Sequence, residues 1–199
     1  MNMTDLPQAD CIDRLRAGDE AAFAALYSRH MAAMIRVAET IVNCRATAEE
    51  VAQETWLAVL GNIGNFEGRS SLAGWIFTIL ANKARSRARR DGRTLSLDEG
   101  GPGDDLSAAF DGHGRWTRMP ALWEEITPER IVAGRSLAAH LADAIDELPP
   151  AQRAVIVLRV QQGLAPAEVC RILDISEGNM RVLLHRGRLR LRARLAELA

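Results

Sequence analysis

The stretch PAEVCRILDISEGNMRVLLHRGRLRLR, residues 166–192, decides the fold of the C-terminal part of this chain. Pro166 suits the first position of a short helix. Behind it, apolar residues recur at the i, i+3 and i+4 spacing of one helical face, at Val169, Ile172 and Leu173. Asp174 and Ile175 predict a tight turn, and Ser176 is a good N-cap for a second, longer helix. A short helix, a tight turn and a basic helix together predict a helix-turn-helix.

The second helix of this pair separates into an apolar side and a basic side when its residues are spaced at about 100 degrees. In a helix-turn-helix, its first residues reach base edges in the major groove, and arginines further along fit the phosphates. The base-reading candidates are Glu177, Asn179, Arg181 and Val182. The first phosphate candidates are Arg186 and Arg188, and His185 lies on the same stripe as Arg181. A solvated surface, or a basic helix on a membrane or partner, is the alternative.

Positive charge is concentrated in two blocks, although the formal net charge of the chain is only -1. Residues 67–93 and 151–199 each carry a net charge of +5, whereas residues 1–66, 94–131 and 132–150 carry -4, -5 and -2. A single charged block is most often a solvated surface. Two basic blocks, each at the end of a helical unit, instead indicate a polyanion contacted at two places.

The composition indicates an all-α protein, because aromatic residues make up only 5% of the 199 residues and few turn residues interrupt the long Ala, Leu, Arg and Glu-rich stretches. The sequence has neither an apolar run of membrane-spanning length nor a signal peptide, so we expect a cytoplasmic protein without membrane insertion. Cys11, Cys44 and Cys170 are too far apart to indicate a disulfide framework or a zinc site. Without a phosphate-binding loop or a nucleophile constellation, we expect no cofactor, no metal and no enzymatic activity.

A segment rich in Gly, Asp and Ser, residues 96–114, shows no apolar period and predicts a linker. We therefore expect two small helical domains, over residues 8–92 and 132–199, joined by a flexible acidic linker over residues 93–131. The C-terminal domain contains the helix-turn-helix. Fully extended, the linker would reach roughly 120 Å.

Capping residues predict where the helices of the first domain begin. Asp19 can cap one helix, and Thr47 and Glu50 have the spacing of a capping box at the start of another. The apolar residues that this second helix carries are Val51, Trp56, Leu57, Val59 and Leu60. A further helix begins at about Ser71, and its second half is strongly basic.

Taken together, these segments resemble the extracytoplasmic-function (ECF) group of bacterial RNA polymerase sigma factors, and the resemblance covers most of the chain. TAEEVAQETWLAVL, residues 47–60, is similar to the helix by which such factors dock on core RNA polymerase. The core-binding residues that this implies are Glu49, Glu50, Gln53 and Glu54. FEGRSSLAGWIFTILANKARSRARR, residues 66–90, is similar to the segment that opens and reads the minus-10 promoter element. The minus-10 residues that this implies are Phe66, Gly68, Arg69, Ser70, Ser71, Asn82, Lys83 and Arg85, with the loop 66–71 as the pocket for a flipped base.

Residues 145–192 resemble the domain that reads the minus-35 element. The minus-35 residues that this implies are Ser176, Glu177, Asn179, Arg181, Val182, His185, Arg186 and Arg188. The partners that the family implies are core RNA polymerase, promoter DNA and an anti-sigma factor. Asp174 stands where family members often have Gly, and Asp tolerates the left-handed conformation. Asn179 and Val182 also depart from the usual family residues, so we expect this protein to have its own promoter specificity.

Two other classes of function stay open. A sigma-like decoy would bind an anti-sigma factor but no DNA, and it would have no need of the basic residues at 83–90 and 181–192. A dimeric helix-turn-helix repressor would match two half-sites, but it would leave the second basic block unexplained. We therefore expect a transcription initiation factor that directs core RNA polymerase to promoters by reading their minus-10 and minus-35 elements.

Overall fold

The structure, a computed structural model, describes residues 8–92 and 134–196, and all regular secondary structure within these two ranges is helical. The prediction of an all-α fold is confirmed. The predicted linker over residues 93–131 lies outside the described residues. Among the helices that are described, none combines the length and the apolar character needed to cross a membrane.

The N-terminal domain is a helical bundle in which three long helices surround the core. Its helices are α1 (Gln8–Arg16), α2 (Glu20–Val42), α3 (Arg45–Asn62) and α4 (Leu72–Arg90). A short 3-10 turn, Ile63–Asn65, follows α3. Facing sides of α2, α3 and α4 bury Met34, Val51, Ile76 and Phe77 at 0–1% exposure. Each such side chain stabilises the fold by about 1.5–3 kcal/mol relative to its exposed state.

The helix starts in this domain follow local capping chemistry, with one exception. The Asp19 carboxylate accepts hydrogen bonds from two first-turn N–H groups of α2, and the Ser71 hydroxyl accepts one from the Gly74 N–H at 3.0 Å. The predicted capping box of Thr47 and Glu50 is wrong, because α3 begins at Arg45. Asn43 ends α2 in the left-handed conformation, with φ of 52°, and the chain re-enters a helix two residues later.

Two apolar residues of α3, Leu57 and Leu60, do not belong to the core. Their side chains are 71% and 45% exposed. The buried side of α3 is already formed by residues at positions i, i+3, i+4, i+7, i+8 and i+11, namely Ala48, Val51, Ala52, Thr55, Trp56 and Val59. The two leucines lie outside this stripe, on the exposed side of α3.

The C-terminal domain contains the helix-turn-helix as predicted. Its helices are α5 (Gly134–Asp146), α6 (Pro150–Ile156), α7 (Pro166–Leu173) and α8 (Glu177–Ala196), and α6 continues as one π-helical turn, Val157–Gln161. Between α7 and α8, Asp174 adopts the left-handed conformation, with φ of 57° and ψ of 50°. The Ser176 hydroxyl accepts a hydrogen bond from the Asn179 N–H at 3.1 Å, which confirms Ser176 as the N-cap of α8.

Close packing against α6 fixes the position of α8. Gly187 is buried at this contact, where a Cβ would lie only 2.8 Å from Cγ1 of Ile156. Met180 and Leu183 are 3% and 5% exposed on the same side of α8. The predicted apolar side of the helix is therefore the side that packs.

The two domains pack against each other. Helix α6 and the following π-helical turn contact α2, and α7 contacts α4. Buried apolar side chains form one continuous cluster across this interface. The sequence predicted two separate helical units but gave no indication of this contact, which places the helix-turn-helix beside the basic helix of the N-terminal domain.

Candidate nucleic-acid interface

The loop before α4 forms a small cavity at the surface of the N-terminal domain. The cavity measures about 160 Å³ and is lined by Asn65, Phe66, Glu67, Arg69, Ser70 and Trp75. The Phe66 ring, only 4% exposed, packs against the Trp75 ring with centroids 5.0 Å apart. Because Phe66 is almost fully buried, the half-buried Trp75 ring is the aromatic group with surface left to face the cavity.

Two interactions and one glycine conformation define the shape of this loop. Arg16 of α1 donates a hydrogen bond to the carbonyl oxygen of Phe66 at 2.8 Å. Gly68 adopts a positive φ of 71°, a conformation that favours glycine. Arg69, whose side chain is 83% exposed, forms a salt bridge with Glu67 at 2.5 Å. The sequence did not identify Arg16, because its partner lies 50 residues away along the chain.

The basic half of α4 is paired with acidic residues of α3. Glu50 forms a salt bridge with Arg87 at 2.9 Å, and Glu54 lies 3.7 Å from Lys83. Such exposed ion pairs contribute about 0–1 kcal/mol, so a phosphate can replace the carboxylate at little cost. Asn82 is exposed beside them.

The predicted core-binding residues lie on one side of α3. Gln53 and Glu54 are exposed, and Glu49 is half-buried and forms a salt bridge with Arg45 at 3.0 Å. Leu57 and Leu60 complete this exposed face together with Glu50. The face therefore combines apolar side chains with an acidic edge, a composition suited to a protein partner.

The predicted base-reading residues lie on the first turns of α8. Arg181 forms a salt bridge with Glu177 at 3.0 Å, and the two side chains are 40% and 58% exposed. Asn179, Val182, His185, Arg186 and Arg188 are all half-buried. Burial lowers the pKa of His185, and the neighbouring Arg188 lowers it further, so its imidazole is neutral at pH 7.

Two arginines of the same helix serve the packing of the domain. Arg190 donates a hydrogen bond to the side chain of Gln152 at 3.3 Å. Arg194 forms two hydrogen bonds with Glu147, at 2.8 and 3.2 Å. Arg190 and Arg194 thus hold the helix on its own domain.

Two of the predicted minus-10 residues contact the C-terminal domain. Ser71 donates hydrogen bonds to the Glu168 carboxylate, and Arg85 donates one to the carbonyl oxygen of Ile172. Glu168 was not identified from the sequence, although its position three residues after Ala165 is typical of a helix-capping glutamate.

In the parts of the chain that the structure describes, no group of three or more His, Cys, Asp or Glu residues could hold a metal ion.

Comparison with known proteins identifies the family. Residues 26–94 match the family model of Sigma-70 region 2, and residues 139–191 match that of Sigma-70 region 4. RNA polymerase sigma factor CarQ of Myxococcus xanthus is 30% identical over 187 residues, which cover 94% of this chain and 97% of CarQ. The ECF RNA polymerase sigma factor SigE of Mycolicibacterium smegmatis is 32% identical over 183 residues, 90% of this chain. The chain belongs to the ECF group of RNA polymerase sigma factors.

The match spans 65% of the length of SigE. SigE therefore has further sequence outside the shared part. Among solved structures, this ECF sigma factor is similar to the sigma factor RpoE of Bartonella quintana, in a complex with the anti-sigma factor NepR. The TM-score is 0.50 and the identity 22%, and the similarity covers 87% of this chain and 96% of RpoE. This likeness supports the helical fold.

Proposed function

We propose that this sigma factor binds core RNA polymerase and directs it to promoters, without catalytic activity of its own. The N-terminal domain, residues 8–92, would bind the polymerase and read the minus-10 element. The C-terminal domain, residues 132–199, would read the minus-35 element, and residues 93–131 would join the two. The observation that carries this proposal is the presence, on one chain and in this order, of matches to Sigma-70 regions 2 and 4.

In the N-terminal domain, the cavity beside Phe66 and Trp75 would accept an unstacked base of the minus-10 element. In the loop around this cavity, we assign the contacts with the minus-10 element to Gly68, Arg69, Ser70 and Ser71. Asn82, Lys83 and Arg85 would contact the DNA backbone along α4. Stacking on an aromatic ring contributes about 1–3 kcal/mol per base, which helps to hold a promoter strand open.

In the C-terminal domain, α8 would enter the major groove of the minus-35 element. We assign base contacts to the start of this helix, at Ser176, Glu177, Asn179, Arg181 and Val182. His185, Arg186 and Arg188 would contact phosphates or the groove wall further along. The salt bridge between Arg181 and Glu177 is exposed, so base edges can replace it when the helix docks.

The exposed face of α3 would bind core RNA polymerase. Its acidic and amide groups are Glu49, Glu50, Gln53 and Glu54, and Leu57 and Leu60 add apolar area. Neither the loop of residues 66–71 nor α8 shares this face, and its edge at Glu54 borders Lys83 of α4. We further propose that an anti-sigma factor controls this protein, as NepR binds RpoE of Bartonella quintana. The sigma factor itself would act in the cytoplasm, where the chromosome lies.

Run-off transcription with purified core RNA polymerase and a promoter library tests this proposal. We expect the protein to stimulate transcription from a subset of templates. The matched control pair is Arg181→Ala, at the base-reading end of α8, and Arg194→Ala, which removes an arginine that pairs with Glu147. No stimulation by the wild type would contradict the initiation function, and binding to an anti-sigma factor without any DNA binding would favour the decoy.

A further inference from the structure

The loop that we assign to the minus-10 element rests against helix α1. A second cavity, of about 240 Å³, lies between them and is lined by Ile12, Asp13, Arg16, Phe66, Glu67 and Gly68. Phe66 and Glu67 also line the cavity that we assign to the unstacked base. Any displacement of these two residues therefore changes the shape of the base-binding cavity.

A hydrogen bond from α1 fixes the peptide unit between Phe66 and Glu67. The Arg16 guanidinium donates to the carbonyl oxygen of Phe66 at 2.8 Å, and the Phe66 N–H donates to the carbonyl oxygen of Ile63 at 3.2 Å. Because a peptide unit is planar, holding its carbonyl oxygen sets the direction in which the chain continues to Glu67. A charged guanidinium also makes a stronger hydrogen bond than a neutral donor does. Arg16 thus determines where the exposed part of the loop begins.

Beyond Phe66 the loop is exposed, and its ion pair lies within the loop itself. Glu67 pairs with Arg69 at 2.5 Å, and Gly68 between them has a φ of 71°. An ion pair between two exposed side chains adds little rigidity. The Phe66 ring, in contrast, is buried against the Trp75 ring. The placement of Glu67 and Arg69 around the cavity therefore depends on the peptide unit that Arg16 holds.

Helix α1 is itself anchored to the domain, so Arg16 acts from a fixed position. Ile12 and Leu15 are 9% and 6% exposed and belong to the apolar core. Arg14 forms a salt bridge at 2.7 Å with Asp19, the residue that caps α2. A side chain supported in this way can hold a binding site to within about 0.5 Å of its working shape without touching the ligand.

We propose that Arg16 is a positioning residue for the readout of the minus-10 element. It holds the loop in the shape that accepts one unstacked base, and it does not contact that base. This role rests on the proposed function, which assigns the cavity beside Trp75 to the base. Residues 26–94 match Sigma-70 region 2, so α1 lies before the matched part of the chain. Arg16 is therefore a promoter-reading residue that the family match does not cover.

Templates that lack single bases test this role in the full chain with core RNA polymerase. Run-off transcription is measured on intact templates and on templates with an abasic site at each minus-10 position in turn, and the readout is the ratio of the two rates. For the wild type, this ratio should be largest at the position whose base the cavity holds. Arg16→Gln should lower the ratio at that position by about fivefold and leave the other positions unchanged. Arg16→Lys keeps the charge but loses the planar fork of donors, so it should lower the ratio by about twofold.

The ratio separates a positioning role from a loss of folding or of charge. A smaller folded fraction slows transcription from both templates by the same factor and leaves the ratio unchanged. Arg29→Gln is the matched charge control, because Arg29 is exposed on α2 and belongs to no surface that we assign to DNA. Its ratios should equal those of the wild type at every position.

Two results would overturn the role of Arg16: a wild-type ratio at every position in Arg16→Gln, or an equal loss in Arg29→Gln. If Arg16→Gln does not fold, the ratio of Arg16→Lys decides in the same way. A wild type that responds to base removal while Arg16→Gln responds equally refutes the positioning role alone. A wild type that is insensitive to base removal at every minus-10 position refutes the proposed function as well.

Discussion

Replacing Asp174 tests how the turn between α7 and α8 positions the helix that we assign to base reading. Asp174 is exposed and adopts the left-handed conformation, with φ of 57°. For an ordinary L-residue this conformation costs about 1–2 kcal/mol, for Asp and Asn it costs less, and for Gly it costs almost nothing. Because the side chain is exposed, packing adds little to this difference.

We therefore expect Asp174→Gly to raise the free energy of unfolding by about 0.5–1 kcal/mol, and Asp174→Ala to lower it by a similar amount. In a chain of this size, 1 kcal/mol shifts Tm by about 2–4 °C. Asp174→Asn is the matched control, because it removes the charge but keeps a side chain that tolerates the left-handed conformation. Its stability should remain close to that of the wild type.

Thermal unfolding followed by circular dichroism, and urea titration at constant m-value, measure these differences. The order of stability should be Gly, then Asp and Asn, then Ala. An Ala variant as stable as the Gly variant would refute the argument from backbone conformation. An Asn variant as unstable as the Ala variant would show that the charge of Asp174 is the determinant instead.

Three further outcomes are expected. Arg181→Ala should weaken promoter recognition by about 1–3 kcal/mol in a sequence-dependent way, measured as promoter selection from a library, whereas Arg194→Ala should leave the selected sequences unchanged. Leu57→Asp should reduce the affinity for core RNA polymerase, measured by fluorescence anisotropy, without lowering Tm, because Leu57 is 71% exposed. Burial lowers the pKa of His30 below its usual value, so the unfolded chain binds this proton more readily. The stability that neutral His30 supports should be lost as the pH falls through about 6.5, and the urea midpoint of His30→Gln should depend less on pH in this range.

Much of the fold follows from local sequence signals. The helix caps at Asp19, Ser71 and Ser176 are confirmed, because capping depends on a side chain and the N–H groups two or three residues later. The predicted capping box at Thr47 is wrong because the next helix begins earlier. Asn43 ends α2 in the left-handed conformation, and α3 already starts at Arg45. The left-handed turn at Asp174 was also accessible from sequence.

What could not be predicted are the contacts between residues far apart in the chain. Leu57 is apolar and yet exposed, because which side of α3 is covered depends on how α2 and α4 pack. Glu168 and Ser71 are separated by 97 residues, and Arg36 and Asp146 by 110 residues. No spacing in the sequence encodes such pairs, so the domain interface emerges only from the three-dimensional structure.

The central claim, that this chain directs RNA polymerase by reading two promoter elements, is tested most directly by sequencing the transcripts that core polymerase makes from a randomised promoter library with and without the protein. We expect the selected templates to share two sequence blocks about two turns of DNA apart, each with one orientation relative to the start of transcription. Selection of no block, or of one palindromic block as a dimeric repressor would choose, would contradict this account.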